Sequence, residues 1–200
     1  MQNVLASIWR PKEGVEIHDI GGMHYSFVFY HSLDVQKVLE GGPWSFEQGM
    51  LICIQVKDGD NLQEILLNEA DIWVQVYDLP KGFVSESILH SIGNYIGKYL
   101  KSDPININGL WKQFYRIRVR IDVSKSLKRR MKIKREGGEW IWVNFKYERL
   151  CTFCFVCGKL GHSKRDCDIV YANPGKELVR AYGTWLRAPG KNSKTAIGSR

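Results

Sequence analysis

Four residues in the last quarter of the chain have the types and the spacing of a metal site. The pattern C-x2-C-x4-H-x4-C is formed by Cys154, Cys157, His162 and Cys167. Thiolates and imidazole suit Zn²⁺, and four protein ligands in a closed set are typical of a structural rather than a catalytic ion. A loop this short has almost no core of its own, so metal binding must supply much of its folding free energy. The sequence therefore predicts a structural zinc ion, with Gly158 and Gly161 allowing tight turns between the ligands.

The remaining cysteines leave one alternative for the ligand set. Cys151 and Cys154 also have C-x2-C spacing and could form the first pair. That register would leave Cys157 unused and would misplace the two glycines, so we favour Cys151 as a non-ligand. Cys53 lies in an apolar run and is expected to be a small buried residue. Five cysteines and no export signal favour a reducing compartment over disulfides.

Charge is distributed unevenly along the chain. Residues 1–100 contain 6 Lys/Arg and 13 Asp/Glu, whereas residues 101–200 contain 23 and 8. A strongly basic segment gains affinity for a polyanion because Lys and Arg release the counterions condensed on phosphates. The distribution predicts that the C-terminal half binds nucleic acid and that the N-terminal half does not.

Hydrophobic spacing in the first part predicts a small α+β domain over residues 1–60. The expected elements are a helix at 4–9, strands at 15–20 and 23–30 joined by Gly21-Gly22, a helix capped by Ser32 and stopped at Gly41, and a strand at 50–56. This order matches a ferredoxin-like split βαβ unit without its first strand. We expect its aromatic strand to serve as fold core or in protein contact, and self-association through this domain is one form that such contact could take.

A second α+β block, rich in strands, is predicted over residues 70–148. The expected elements are a strand at 71–79, a helix capped by Ser85 through 96, and strands at 114–123, 127–135 and 139–147. In the strand at 114–123 one face is apolar and the other carries Arg116, Arg118 and Arg120. Lys128, Arg129 and Arg130 open a further basic run. We expect these six residues to contact phosphates.

Two tryptophans, Trp140 and Trp142, share one face of the last strand and could form either an aromatic surface for bases or part of a core. The basic run at 128–135 also resembles a nuclear localisation patch, although the same residues are predicted to form a strand. After this block we expect the zinc loop at 151–168 and a disordered tail at 189–200.

The zinc loop resembles the CCHC knuckle of retroviral nucleocapsid-type proteins, which bind single-stranded nucleic acid. The resemblance implies that Phe155 stacks on an unpaired base. It also implies that phosphates are contacted by Lys159, Lys164 and Arg165. Ser163 follows the ligand histidine, where strong binders often have an apolar residue. One knuckle with one aromatic plate is expected to bind weakly and with little sequence preference.

The longer chain, over about residues 1–187, resembles a plant family in which a domain of unknown function precedes one CCHC knuckle, often in LINE-type retroelement proteins. The segments that carry the resemblance are Gly42-Pro43-Trp44, residues 72–76, Leu79-Pro80, Ile92-Gly93, Ile96-Gly97, residues 118–123 and residues 147–150. The resemblance implies a gag-like role in packaging nucleic acid with bound Zn²⁺. It implies no activity for the N-terminal domain.

These observations lead to two functional hypotheses. The first is a non-enzymatic protein that binds single-stranded RNA or DNA, and the second is a protein-interaction module that zinc only stabilises and that recruits an acidic partner. The sequence has no paired carboxylates, no nucleophile beside a base and no phosphate-binding loop, so an enzyme is not expected. It has neither a signal peptide nor a membrane-spanning run, which predicts an intracellular protein of the nucleus or cytoplasm without a membrane partner.

Overall fold

The computed structural model describes residues 2–47, 49–62, 64–106, 113–134 and 137–189, and these residues form a mixed α+β structure. The α+β class predicted from the sequence is therefore confirmed. The predicted disordered tail at 189–200 lies, apart from its first residue, outside the described residues. None of the described helices is long and apolar enough to cross a membrane.

The N-terminal unit contains two helices and two short hairpins. Its elements are α1 (Gln2–Trp9), β1 (Val15–Gly21), β2 (His24–Phe29), α2 (Ser32–Gly41), β3 (Trp44–Phe46) and β4 (Gly49–Leu51). Strand β1 pairs with β2 in antiparallel register, and β3 pairs with β4. Leu5, Trp9 and Val38 form a small core between the helices and the first hairpin.

Two details of this unit differ from the sequence-based expectation. The helix α2 is capped by His31 rather than by Ser32, because the His31 side chain accepts a hydrogen bond from the Leu33 amide. The strand expected at 50–56 is reduced to β4, whose partner is β3 and not the first hairpin. Among the described residues, the two hairpins stay separate sheets, so a continuous ferredoxin-like sheet is not formed here.

The main part of the molecule is an antiparallel five-stranded sheet covered on one face by a helix. Its elements are β5 (Glu69–Tyr77), α3 (Glu86–Ile96), β6 (Lys98–Ser102), β7 (Phe114–Asp122), β8 (Arg130–Ile133) and β9 (Ile141–Tyr147). The strand order is β6-β7-β5-β9-β8. Ser85 caps α3 as predicted, since its hydroxyl accepts a hydrogen bond from the Ile88 amide at 3.3 Å.

Alternation along the strands separates the two faces of this sheet. Ile117, Val119 and Ile121 of β7 are buried together with Val143 and Phe145 of β9, and Leu89 and Ile92 of α3 pack against them. This face contains most of the apolar core. The opposite face carries the residues in between, which include the three arginines of β7 and Trp142 of β9.

The cysteine-rich segment follows β9 directly and packs on the same core. It contains a short helical turn at Lys164–Asp166 and the four-residue helix α4 (Asp168–Tyr171). The chain then returns to the sheet, where Leu186 is fully buried and the Ala188 amide donates to the Tyr147 carbonyl at 2.9 Å. Residues well beyond the last cysteine are therefore part of this folded unit.

Candidate metal centre and nucleic-acid interface

The metal loop begins as a tight antiparallel turn. Phe153 and Leu160 form a β-bridge, the Cys154 amide donates to the Lys159 carbonyl at 2.9 Å, and the Gly158 amide donates to the Cys154 carbonyl at 2.9 Å. Gly158 and Gly161 have φ values of +75° and +86°. Side chains other than glycine rarely adopt this backbone region, which confirms the prediction that both glycines allow the turns between ligands.

The four predicted ligands come together in the structure. The candidate ligand atoms of Cys154, Cys157, His162 and Cys167 all lie within 4.8 Å of one another. The Cys157 Sγ is 3.3 Å from the His162 Nε2. Cys151 does not belong to this cluster, and its thiol points to the Thr152 carbonyl at 3.8 Å. The set is positioned to bind one metal ion, and three sulfur donors with one imidazole are a donor set that suits Zn²⁺.

Backbone amides point at two of the candidate sulfur ligands. The Val156 amide points at the Cys154 Sγ at 3.4 Å, and the Lys159 amide points at the Cys157 Sγ at 3.5 Å. Such hydrogen bonds orient the sulfur atoms and offset part of their mutual repulsion. Four protein ligands can fill a tetrahedral coordination shell, which is typical of a structural rather than a catalytic ion.

The thiols of this cluster have different proton affinities before a metal binds. Burial and the neighbouring thiol of Cys154 raise the pKa of Cys157 to about 11. Burial also acts on Cys167, but hydrogen bonds from His162 and from the amides of Ile169 and Val170 outweigh it and lower its pKa to about 7. Since metal binding requires thiolates, an ion that binds at neutral pH must displace the proton of Cys157.

The loop is built into the sheet domain and is not a separate appendage. The Ser126 hydroxyl donates to the Cys157 carbonyl at 2.6 Å, and the Leu127 amide donates to the Gly158 carbonyl at 3.0 Å. In addition, the ring of Tyr182 covers Gly158 so closely that a Cβ atom there would lie 2.3 Å from a ring carbon. Sequence reasoning missed Tyr182, because no spacing relates it to the cysteines.

The predicted contact residues of the loop lie at its surface. Lys159, Lys164 and Arg165 are exposed, and none of them forms an ion pair with a described residue. Phe155 is half-buried and packs against Phe153 with 5.1 Å between ring centroids. The three cations are thus available to a phosphate chain, while Phe155 also supports the loop.

The three arginines of β7 require a correction, because their guanidinium groups are engaged within the protein. Arg116 pairs with Glu148 at 2.8 Å and Asp103 at 2.9 Å. Arg120 pairs with Asp71 at 2.6 Å. Arg118 is only 3% exposed and donates to two backbone carbonyls at the end of α2. These residues join parts of the fold and do not form the phosphate-binding face that their alternation indicated.

The second group of predicted contacts is divided among three environments. Lys128 lies 5.4 Å from the ring centroid of Tyr95 on the helix side of the sheet. Arg129 donates to the Ala181 carbonyl at 2.8 Å and stays with the C-terminal segment. Arg130 extends over the exposed ring of Trp142, 3.9 Å from its centroid. Of the three, Lys128 and Arg130 are exposed.

Two family models match the chain, one over its N-terminal unit and one over the region that contains the cysteines. Residues 1–61 match the model of a domain of unknown function (DUF4283), and residues 121–169 match the model of a zinc knuckle. The chain thus has a DUF4283 region followed by a CCHC zinc knuckle, as the resemblance in its sequence implied. The second match begins at the end of β7 and so includes the β8–β9 hairpin as well as the cysteines.

Over 136 residues the chain is 26% identical to "Uncharacterized protein At4g02000" of Arabidopsis thaliana. The aligned segment covers 68% of this chain and 43% of that relative. The chain therefore matches less than half the length of its curated relative. No solved structure matches the chain significantly.

Proposed function

We propose that this protein binds single-stranded RNA or DNA through a zinc-loaded CCHC knuckle. The observation that carries the proposal is the Cys3His cluster, set in a matched zinc-knuckle segment and surrounded by the exposed cations Lys159, Lys164 and Arg165. Bound Zn²⁺ would hold the loop in shape. The cations would then follow the phosphates, and Phe155 would offer a ring face to an unpaired base.

We further propose that the protein acts by binding and without catalysis, since its four candidate ligands form a closed set. We also propose a gag-like origin in a LINE-type retroelement, which the sequence resemblance implies; a DUF4283 region followed by a zinc knuckle fits the order of parts in that resemblance. The alternative is a protein-interaction module that recruits an acidic partner. The exposed cations are as compatible with an acidic protein partner as with nucleic acid. The half-exposed ring of Phe155 favours nucleic acid, because it can stack on a base.

The experiment is a titration of the zinc-loaded full chain into fluorescently labelled 20-nucleotide RNA, single-stranded DNA and duplex DNA. We expect binding to both single strands that chelation removes and added zinc restores. Phe155→Ala should weaken binding to single strands by about 1–3 kcal/mol, the range for one base–aromatic stack, and should affect the duplex little. The zinc content of the variant must equal that of the wild type, because Phe155 also supports the loop.

Two outcomes would contradict the proposal. If the zinc-loaded protein binds no oligonucleotide at low salt, the nucleic-acid function is wrong. If an acidic peptide such as polyglutamate binds as tightly as an oligonucleotide of the same charge, the protein-interaction alternative is favoured instead.

A further inference from the structure

The β8–β9 hairpin exposes aromatic side chains that a sheet would normally bury. Trp140 is 62% exposed and Trp142 is 41% exposed. Neither belongs to the two apolar cores of the described residues. A tryptophan buries more apolar area than almost any other residue, so two of them held at the surface indicate a surface kept for contact with another molecule.

Cations accompany both rings. Arg130 lies 3.9 Å and Lys132 lies 4.9 Å from the Trp142 ring centroid, and Lys134 lies 5.6 Å from that of Trp140. The register explains this arrangement, because Lys132 is directly opposite Trp142 in the antiparallel pair. Cation–π contacts of this kind hold the rings in a defined orientation.

We propose that this hairpin face is a second site for single-stranded nucleic acid, which stacks unpaired bases on Trp140 and Trp142. The site, here called the tryptophan surface, consists of these two rings with Arg130, Lys132 and Lys134. The inference rests on the proposed function of the protein and adds a binding site outside the knuckle.

Charge on the tryptophan surface is complementary to a phosphate chain. Its three cations form no ion pair with a described residue. Glu139 is the one carboxylate among the described residues of the β8–β9 hairpin. The carboxylate of Asp78 accepts a hydrogen bond from the Asn144 side-chain amide at 2.7 Å. This face thus differs from that of β7, where each arginine has a partner inside the protein.

The spacing of the two rings favours an unstacked strand over a duplex. Trp140 immediately precedes β9 and Trp142 is the second residue of that strand. An extended chain advances about 6.6–6.8 Å over two residues, which is twice the 3.4 Å rise of bases in a duplex. Bases of an extended single strand can each meet one ring, whereas the faces of paired bases are already covered by their neighbours. The tryptophan surface is therefore selective for unpaired bases without reading their identity.

The tryptophan surface is also within reach of the knuckle. Ser126 contacts the carbonyl of the ligand Cys157, and Lys132 follows it by six residues. Six residues span at most about 20 Å. The zinc-knuckle match covers both parts. One oligonucleotide can therefore contact the knuckle and then continue along β8 to the tryptophan surface.

The test compares zinc-loaded full-length variants against a labelled 20-nucleotide poly(dT) strand and a duplex of equal length. Trp140→Ala and Trp142→Ala should each weaken single-strand binding about 5- to 150-fold, the change expected for one lost stack, and should change duplex binding much less. Trp142→Phe keeps a ring and should retain most of the affinity. Trp185→Ala removes a half-exposed tryptophan elsewhere and serves as the matched control.

The outcomes separate this inference from the function on which it rests. If the Trp140→Ala/Trp142→Ala double variant keeps its zinc and binds single strands as tightly as the wild type, the proposed role of the tryptophan surface is wrong. The proposed function of the knuckle is then unaffected. Equal losses in Trp142→Ala and Trp185→Ala would also overturn it. If the wild type binds no single strand, both the tryptophan surface and the proposed function are wrong. If polyglutamate of equal charge displaces the strand, the surface binds polyanions without stacking, and the base-stacking role is wrong.

Discussion

Arg118 is a buried charge that completes the end of a helix. Its guanidinium donates to the carbonyls of Leu39 at 2.9 Å and Glu40 at 2.7 Å, in the last turn of α2. Carbonyls at the C-terminal end of a helix have no partner within the helix and carry its partial negative charge. Burial lowers the pKa of Arg118, and the nearby carboxylates of Asp71 and Glu40 oppose this effect. The residue thus joins the N-terminal unit to the sheet.

The first prediction concerns the loss of this contact. Arg118→Ala should lower the free energy of unfolding by about 1–3 kcal/mol, because it leaves two part-buried helix-end carbonyls without their donor. Lys101→Ala is the matched control, since Lys101 pairs with Glu40 of the same helix end at 3.5 Å but is exposed. An exposed pair contributes about 0–1 kcal/mol. Urea unfolding of the zinc-loaded variants measures both, and equal effects would contradict the role of Arg118.

The second prediction concerns the choice of metal ligands. Cys167→Ser removes one of the four clustered donors and should abolish stoichiometric zinc binding. Cys151→Ser changes a buried thiol outside the cluster and should leave one zinc per chain. Metal analysis of the two purified proteins distinguishes the cases. If Cys151→Ser loses its zinc and Cys157→Ser retains it, the first pair of ligands is Cys151 and Cys154 instead of Cys154 and Cys157.

Single residues also show where sequence reasoning reaches its limit. Alternation along β7 correctly placed Arg116 and Arg118 on the face opposite Ile117. It could not supply their partners, since Glu148 and the α2 carbonyls are distant in the sequence and meet β7 only after folding. The metal ligands could be predicted because all four lie within one short segment, where spacing alone determines which atoms meet.

At the scale of elements, the segment after the knuckle holds the metal loop against the sheet. Leu186 is fully buried beside β9, the Arg187 guanidinium donates to the Cys151 carbonyl at 3.1 Å, and the Tyr182 amide donates to the Phe155 carbonyl at 3.1 Å. Together with the Tyr182 ring on Gly158, these contacts add to those that Ser126 and Leu127 make with the loop. The knuckle therefore depends on residues that follow its last ligand.

The third prediction tests this support by comparing two glycines. Both have positive φ, so alanine at either costs about 1–2 kcal/mol of backbone strain. Only at Gly158 would a Cβ also meet the Tyr182 ring, whereas nothing lies within 4 Å at Gly161. We therefore expect Gly158→Ala to lower the thermal midpoint of the zinc-loaded protein more than Gly161→Ala.

A double-mutant cycle isolates the contribution of the ring. Gly158→Ala should cost less in a Tyr182→Ala background, because the clash is then absent while the backbone strain remains. Zinc content is measured alongside the thermal midpoint. If the two glycine variants lose equal stability and Tyr182→Ala changes neither loss, the C-terminal segment does not support the loop.

Elements with a strong internal pattern were predictable, and elements defined by a partner were not. The helix α3 and the strand β7 have clear apolar periodicity and an identifiable cap or break, and both were predicted within a few residues. The edge strand β6 was missed because Lys98–Ser102 shows no alternation and pairs only with β7. The apolar run at 50–56 was predicted too long, since only its first residues find a strand to pair with.

On the scale of the whole molecule, the boundary in charge does not coincide with a boundary in structure. The change from acidic to basic composition falls near residue 100, but the central strand β5 lies before it and pairs with β7 and β9 beyond it. A fragment that begins near residue 103 would lack both β5 and α3 and therefore much of the core. Binding experiments on this protein accordingly require the sheet to be complete.

We expect the knuckle and the tryptophan surface to bind the same strand, because the sheet domain holds both of them. Each phosphate contact changes the slope of log K against log salt by about −0.7 for single strands. If phosphates are contacted by Lys159, Lys164 and Arg165 and also by Arg130, Lys132 and Lys134, the slope for a 20-nucleotide strand should be about −4.

The knuckle alone would give a slope of about −2, which is also the value expected for a strand of four nucleotides that is too short to contact both sites. Anisotropy titrations between 50 and about 300 mM salt measure both slopes. The control is Lys132→Ala/Lys134→Ala, which should flatten the slope for the long strand by about 1.4 and leave that for the short strand unchanged. A slope near −2 for both lengths would show that the two sites are not occupied by the same strand.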